Sequence, residues 1–224
     1  MWKDILSLLK GSSQVQEAFE ESLQMLETSH GMFTDAVAAI HKEGALLDDI
    51  YERDRELNKF ERRVRRKIVT HLSISSKPDV NMGLVITSIV IDIERIGDYA
   101  KNISELAVEL EGPLNAGELE VEIRHLERLV DANFADLMVA LEGSDQDRAR
   151  MVLSRHKEVT GSVERHLLSL RRGNELAEDS GRAVTAALYL RYLKRMSAHV
   201  KNVATSIVNP FHRIGFREKT KKQD

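Results

Sequence analysis

Apolar residues recur along the chain at three- and four-residue spacing, and few breakers interrupt them. Leu47, Ile50, Leu57, Val64 and Ile68 keep this spacing in one stretch, the mark of a single buried helix face. Ile86, Ile89, Ile93, Ile96, Ala100, Ile103 and Leu110 do the same in the next. The run GLVITSIVIDI is apolar nearly all round, and by residue type alone it would suit a buried strand. It passes without a turn signal into a clear helical pattern, so the spacing predicts a central helix buried on several sides. Gly44, Pro78, the Gly112-Pro113 pair, Gly143 and Gly173 are the main punctuation. Helices are predicted at 14–43, 46–76, 80–111, 118–142, 145–172 and 175–208, most of them near 40 Å long. A short amphipathic helix at about 2–9 precedes them, and a basic tail follows Pro210.

The third and sixth of these helices repeat one another at an offset of 100 residues. Ile93 meets Leu193, Arg95 meets Arg195, Ile96 meets Met196, Lys101 meets Lys201, Asn102 meets Asn202 and Ile103 meets Val203. Arg53, Glu56 and Leu57 match Arg155, Glu158 and Val159 more weakly, and Phe33 and Phe134 stand at similar distances from those points. A three-helix unit repeated once is the economical reading, each unit an up-down-up bundle with short loops. The chain then divides into an N-terminal segment (1–13), a first unit (14–112), a second unit (113–209) and the tail (210–224).

Composition agrees with an all-α fold: aromatic residues are 5%, with three prolines and twelve glycines in 224 residues. The absence of cysteine rules out disulfides and thiolate metal sites and suits a reducing compartment. No apolar run reaches the ~18 residues of a membrane span, and MWKDILSLLKGSS makes a poor signal peptide. A net charge of -3 argues against nucleic acid as the main partner.

The segment DIERIGDYAKNI (92–103) resembles the signature helix of the phosphate-uptake regulator (PhoU) family, and DRELNKFE (54–61) resembles its companion helix. In the second unit only YLKRMSAHVKNVA keeps the likeness, as a degenerate repeat. The resemblance implies two three-helix bundles side by side. It implies a cytoplasmic, non-enzymatic regulator of phosphate uptake that acts at a membrane transporter or sensor kinase, as a homodimer, with peripheral contact at the inner face of the membrane. It also implies surface clusters of iron or another divalent or trivalent cation on paired acidic residues.

The residues offer a matching chemistry. Glu94 and Asp98 lie one turn apart on one helix face, and Asn102 continues it. Asp54 and Asn58 form a second four-spaced pair, with Glu61 near the same edge. Oxygen donors converging from two helices suit a hard cation such as iron(III), manganese or magnesium. The competing reading is a solvated face in which Glu94 pairs with Arg95 or Lys101. In the second unit Lys194 and Ala198 stand for Glu94 and Asp98, and His156 and Thr160 for Asp54 and Asn58. A protonated lysine has no lone pair for a metal, so at most one cluster per chain is expected. The matching face is then expected to be free for an acidic partner, through Arg195 and Lys201.

Other features carry less. Glu122 and His125 make a single Glu-x-x-His, whereas a ferritin-like di-iron enzyme needs two, plus further glutamates. The cluster ERRVRRK (61–67) reads as a solvated face with local ion pairs or as a site for an acidic partner. Trp2, Ile5, Leu6 and Leu9 suit a bundle cap or a membrane surface. Arg213, Arg217, Lys219, Lys221 and Lys222 suit anionic lipid or a solubilising disordered end. Besides a regulator of phosphate uptake, the chain is compatible with an accessory of a different, sodium-coupled phosphate transporter.

Overall fold

A computed structural model describes residues 13–42, 49–76 and 78–218. Six helices account for most of them: α1 (Ser13–Ile40), α2 (Ile50–Ile74), α3 (Val80–Glu109), α4 (Glu120–Gly143), α5 (Gln146–Arg171) and α6 (Ser180–Val208). Short 3₁₀ turns occupy Gly117–Leu119 and Phe211–Arg213. No strand occurs among the described residues. The expected segment at 2–9, the start of the helix expected at 46 and Lys219, Lys221 and Lys222 lie outside them.

The helix ends follow from local chemistry. Asp79 Oδ1 accepts from the Met82 N–H at 2.9 Å and opens α3. Asp145 caps α5 through the Asp147 and Arg148 N–H groups, and Asp179 caps α6 through that of Arg182. The last helix starts five residues later than its expected Glu175, because the chain turns at Gly173, whose φ is +69°, before Asp179 can cap.

Helices α1, α2 and α3 pack on one another, as do α4, α5 and α6; α3 then packs along α6 and α1 touches α4. The two units therefore share one apolar core. The run 83–93 is helical. Met82, Val85, Ile86, Ile89, Val90 and Ile93 are all buried, which explains its nearly all-round apolarity: α3 packs on α1, α2 and α6. No helix of the described residues is long and apolar enough to cross a membrane.

The start of the basic tail folds back on α6. Asn209 Nδ2 donates to the Arg213 and Phe216 carbonyls at 3.0 and 2.8 Å. The Gly215 N–H donates to Thr205 Oγ1 at 2.7 Å, and Phe211 and Ile214 rest against the core. Residues 210–218 are thus docked rather than a solvated end.

Candidate functional site

The acidic face of the first unit depends on a close approach of α2 to α3. Gly97 lies between Glu94 and Asp98, and a Cβ built on it would come within 2.3 Å of Leu57 Cδ1. Leu57 is fully buried. The bare glycine lets the helices close, and that closeness brings Asp54 into the field of Glu94 and, with Asp98, into reach of Lys101.

The carboxylates do not meet bare. Lys101 Nζ donates to Asp54 Oδ1 at 2.9 Å and lies 3.6 Å from Asp98 Oδ1. Arg95 donates to Asp98 Oδ2 at 2.9 Å and stands 3.6 Å from Glu94 Oε2. Arg65 pairs with Glu61 at 2.8 Å, and the Asn58 amide donates to the Asp54 carbonyl. Burial pushes the Glu94 carboxyl above its ordinary value, and Asp98, Glu61 and Asp54 add to the rise against the pull of Arg95. The donor types suit a hard cation, and Lys101 Nζ occupies the position beside Asp54 and Asp98 that such a cation would take. Among the described residues no three acidic or imidazole side chains are disposed to hold a metal ion. Of the two pairings expected for a solvated face, Glu94 stands near Arg95, whereas Lys101 turns to Asp98 and reaches across to Asp54 of α2.

The second unit inverts this face. His156 Nδ1 lies 3.0 Å from Ser197 Oγ and its Nε2 3.4 Å from Thr160 Oγ1. Burial, then Lys201 and Lys194, depress its pKa to about 4. Lys194 pairs with Glu164 at 2.8 Å. Arg195 and Lys201 do not share one face. Arg195 Nε donates to Tyr99 Oη of the first unit at 3.0 Å, whereas Lys201 Nζ donates to Asn202 Oδ1 at 2.7 Å and to the Gly215 carbonyl at 2.8 Å, beneath the docked tail.

Several polar groups escape a reading of spacing alone. Glu127 Oε1 accepts from Tyr189 Oη at 2.6 Å and lies 2.7 Å from His41 Nε2, all three buried. This trio ties the turn after α1 to α4 and α6. Its signal is legible in retrospect, for Glu127 interrupts the stripe Ile123, Val130, Phe134 and Leu137. Asp92 Oδ1 binds His199 Nδ1 at 2.7 Å and the Asn202 amide at 2.9 Å, tying α3 to α6. Glu122 and His125 instead go separately to Ser162 and Glu158. In ERRVRRK only Arg65 makes a local ion pair, with Glu61, among the described residues, whereas Arg63 and Lys67 reach across to Glu21 and Glu17 of α1.

The duplication extends to contacts. Arg53 bonds Asp35 at 2.5 Å, and Arg155 bonds Asp136 at the corresponding positions. Equivalent residues of the two units also face each other across the seam. His30 lies 2.6 Å from Asp131, the Phe33 and Phe134 rings stack at 5.6 Å, and the Tyr99 and His199 rings stack at 5.7 Å.

Comparison with known proteins agrees with this geometry. The model of the PhoU domain matches residues 22–107 and again 123–207. A phosphate-specific transport system accessory protein PhoU homolog of Pseudomonas putida is 27% identical over 205 residues, 88% of this chain and 78% of that protein. Its counterpart in Pseudomonas aeruginosa is 30% identical over 183 residues, 78% of this chain and 74% of that one. The crystal structure of PhoU from Pseudomonas aeruginosa superimposes with a TM-score of 0.79 at 26% identity, covering 88% of this chain and 96% of that one. The phosphate transport system regulatory protein PhoU from Streptococcus pneumoniae shares the fold, with a TM-score of 0.74 at 17% identity over 87% and 93% of the two chains. The chain belongs to the PhoU family and carries two PhoU domains side by side.

Proposed function

We propose that the protein is a cytoplasmic accessory of a phosphate transport system, regulating uptake by binding a membrane transporter subunit or its sensor kinase, and that it acts without catalysis. The observation that carries this reading is the pair of PhoU domains spanning both units, supported by relatives named for that accessory role. Affinity capture of the full chain from detergent-solubilised membranes, grown with scarce and with abundant phosphate, tests it. Recovery of a phosphate transporter or its kinase is expected, and deletion of the gene should change phosphate uptake. Unaltered uptake and an empty capture would overturn the reading. Capture of a sodium-coupled transporter would identify that carrier as the partner instead. Self-association into a homodimer belongs to the same proposal, with sedimentation as its measure.

The finer part of the proposal is a hard cation on Asp54, Glu94 and Asp98, with Asn58 beside them. It requires Lys101 to leave Asp54. Metal analysis of protein purified without chelators checks it. Asp98→Ala should lower metal content while leaving the metal-free fold intact, and full metal content in that variant would sink the assignment.

A further inference from the structure

Helices α5 and α6 and the docked tail enclose an open cavity of about 790 Å³ in the second unit. Arg150, His156, Lys157, Thr160, Lys201 and Arg217 contribute to its lining. Two carboxylates also reach it, and both are engaged: Glu164 with Lys194 at 2.8 Å, and Glu218 with Arg150 at 2.9 and 3.1 Å.

Lys201 sets the character of the cavity. Its counterpart Lys101 is neutralised by Asp54 and Asp98. In the second unit those positions are His156 and Ala198, so Lys201 bonds only an amide oxygen and a carbonyl. An ammonium has three donors, and these bonds use two. The carboxylate that acts on it, Asp92, is engaged by the Asn202 amide and by His199. Burial pushes the Lys201 pKa down, the direction of a half-buried charge short of a counter-charge. His156, also deprived of an acidic neighbour, is held neutral beside it.

Where the first unit places carboxylates against its lysine, the second leaves a half-buried ammonium with one donor unused, lining a cavity together with the Ser154 and Thr160 hydroxyls. From this juxtaposition we infer that the cavity binds a phosphate group, supplied either as inorganic phosphate or as the phosphoryl end of a larger small molecule. Ammonium, guanidinium and hydroxyl donors arranged around one space suit a multiply charged oxyanion. The volume exceeds what a lone phosphate fills, so both sources are tested. The inference concerns the second unit alone and stands whichever membrane partner the protein has.

The experiment is a titration of the full ¹⁵N-labelled chain, followed by NMR at the Gly215 amide and the His156 ring. Inorganic phosphate and a nucleoside triphosphate are the two probes, with sodium chloride at matched ionic strength as control. Saturable shifts at both residues with either probe, absent in chloride, are expected. Saturation by phosphate identifies the free anion, and saturation by the nucleotide alone identifies a phosphorylated molecule. Lys157→Glu, at an exposed position, should weaken binding at least tenfold, whereas the same charge reversal at exposed Lys59 in the first unit should leave it unchanged. Gly161→Leu fills the cavity wall without altering charge, since a Cβ there meets only the end of Arg165 at 3.9 Å. It should abolish nucleotide binding. Shifts that fail to saturate with both probes, or that survive Lys157→Glu and Gly161→Leu undiminished, would overturn the inference.

Discussion

Replacing Gly97 with alanine separates two effects of opposite sign. In an exposed helix interior the change stabilises by about 1 kcal/mol, because glycine is the poorer helix former. Here the new Cβ would sit 2.3 Å from Leu57 Cδ1, well inside contact distance, with Met32 Sδ at 3.8 Å on another side. Leu57 and Met32 are both fully buried, so relief requires an off-rotamer leucine or a wider α2–α3 spacing. Overpacking of this kind costs about 1–3 kcal/mol, and more where backbone must shift. A clash this deep belongs at the upper end, so the net effect is a loss of about 1–2 kcal/mol. For a chain of this size that lowers Tm by roughly 2–4 °C per kcal/mol. The second unit supplies the rescue: Ser197 stands where Gly97 does, and the smaller Val159 stands where Leu57 does. Leu57→Val alone loses a buried methylene and should destabilise. Combined with Gly97→Ala it should recover much of the loss, a coupling visible in a double-mutant cycle from urea unfolding. A Gly97→Ala protein more stable than the parent, or strict additivity in the cycle, would refute the idea that this glycine sets the helix spacing.

Glu94→Gln should raise Tm at neutral pH. The native carboxyl holds its proton to higher pH than the unfolded one, so its ionisation costs stability as pH rises through the native value, and the gain should vanish as pH falls to 4.5 and below. His156 behaves in the opposite sense. With a native pKa near 4 against 6.5 unfolded, it withdraws stability as pH falls from 6.5 towards 4, and His156→Gln should flatten that part of the Tm–pH curve; an NMR titration midpoint near 6.5 would contradict the cause assigned. Tyr189→Phe removes a buried donor to Glu127 and should cost about 1.5–3 kcal/mol in urea unfolding, with a neutral result showing that the trio does not bind the units together.

The apolar stripe of α3 and its offset of 100 against α6 were sufficient to expect two helical units, because periodicity reports burial directly. The positions of Asp54, Asn58, Glu94 and Asp98 were legible for the same reason. Their electrostatics were not. The bond from Lys101 to Asp54 spans two helices, and its length depends on the spacing that Gly97 and Leu57 set. The divergence of Arg195 and Lys201 was hidden likewise, since it arises from Tyr99 on one side and a returning tail on the other. That tail reads as solvated because its charges dominate. Its docking rests on backbone groups satisfied by Asn209 and Thr205, which leave little trace in composition.

The residues that face their own counterparts across the seam have an evolutionary consequence. Two identical chains related by a two-fold axis must meet there residue against same residue. Histidine would oppose histidine at position 30, and a second histidine would oppose the one at 199. A tandem chain is released from that constraint, because each half mutates alone. His30 stands opposite Asp131, and His199 opposite Tyr99. The same freedom allows one half to carry Asp54 and Glu94 where the other carries His156 and Lys194. A single polypeptide thus presents two chemically opposite faces that no symmetric pair of half-length chains could offer.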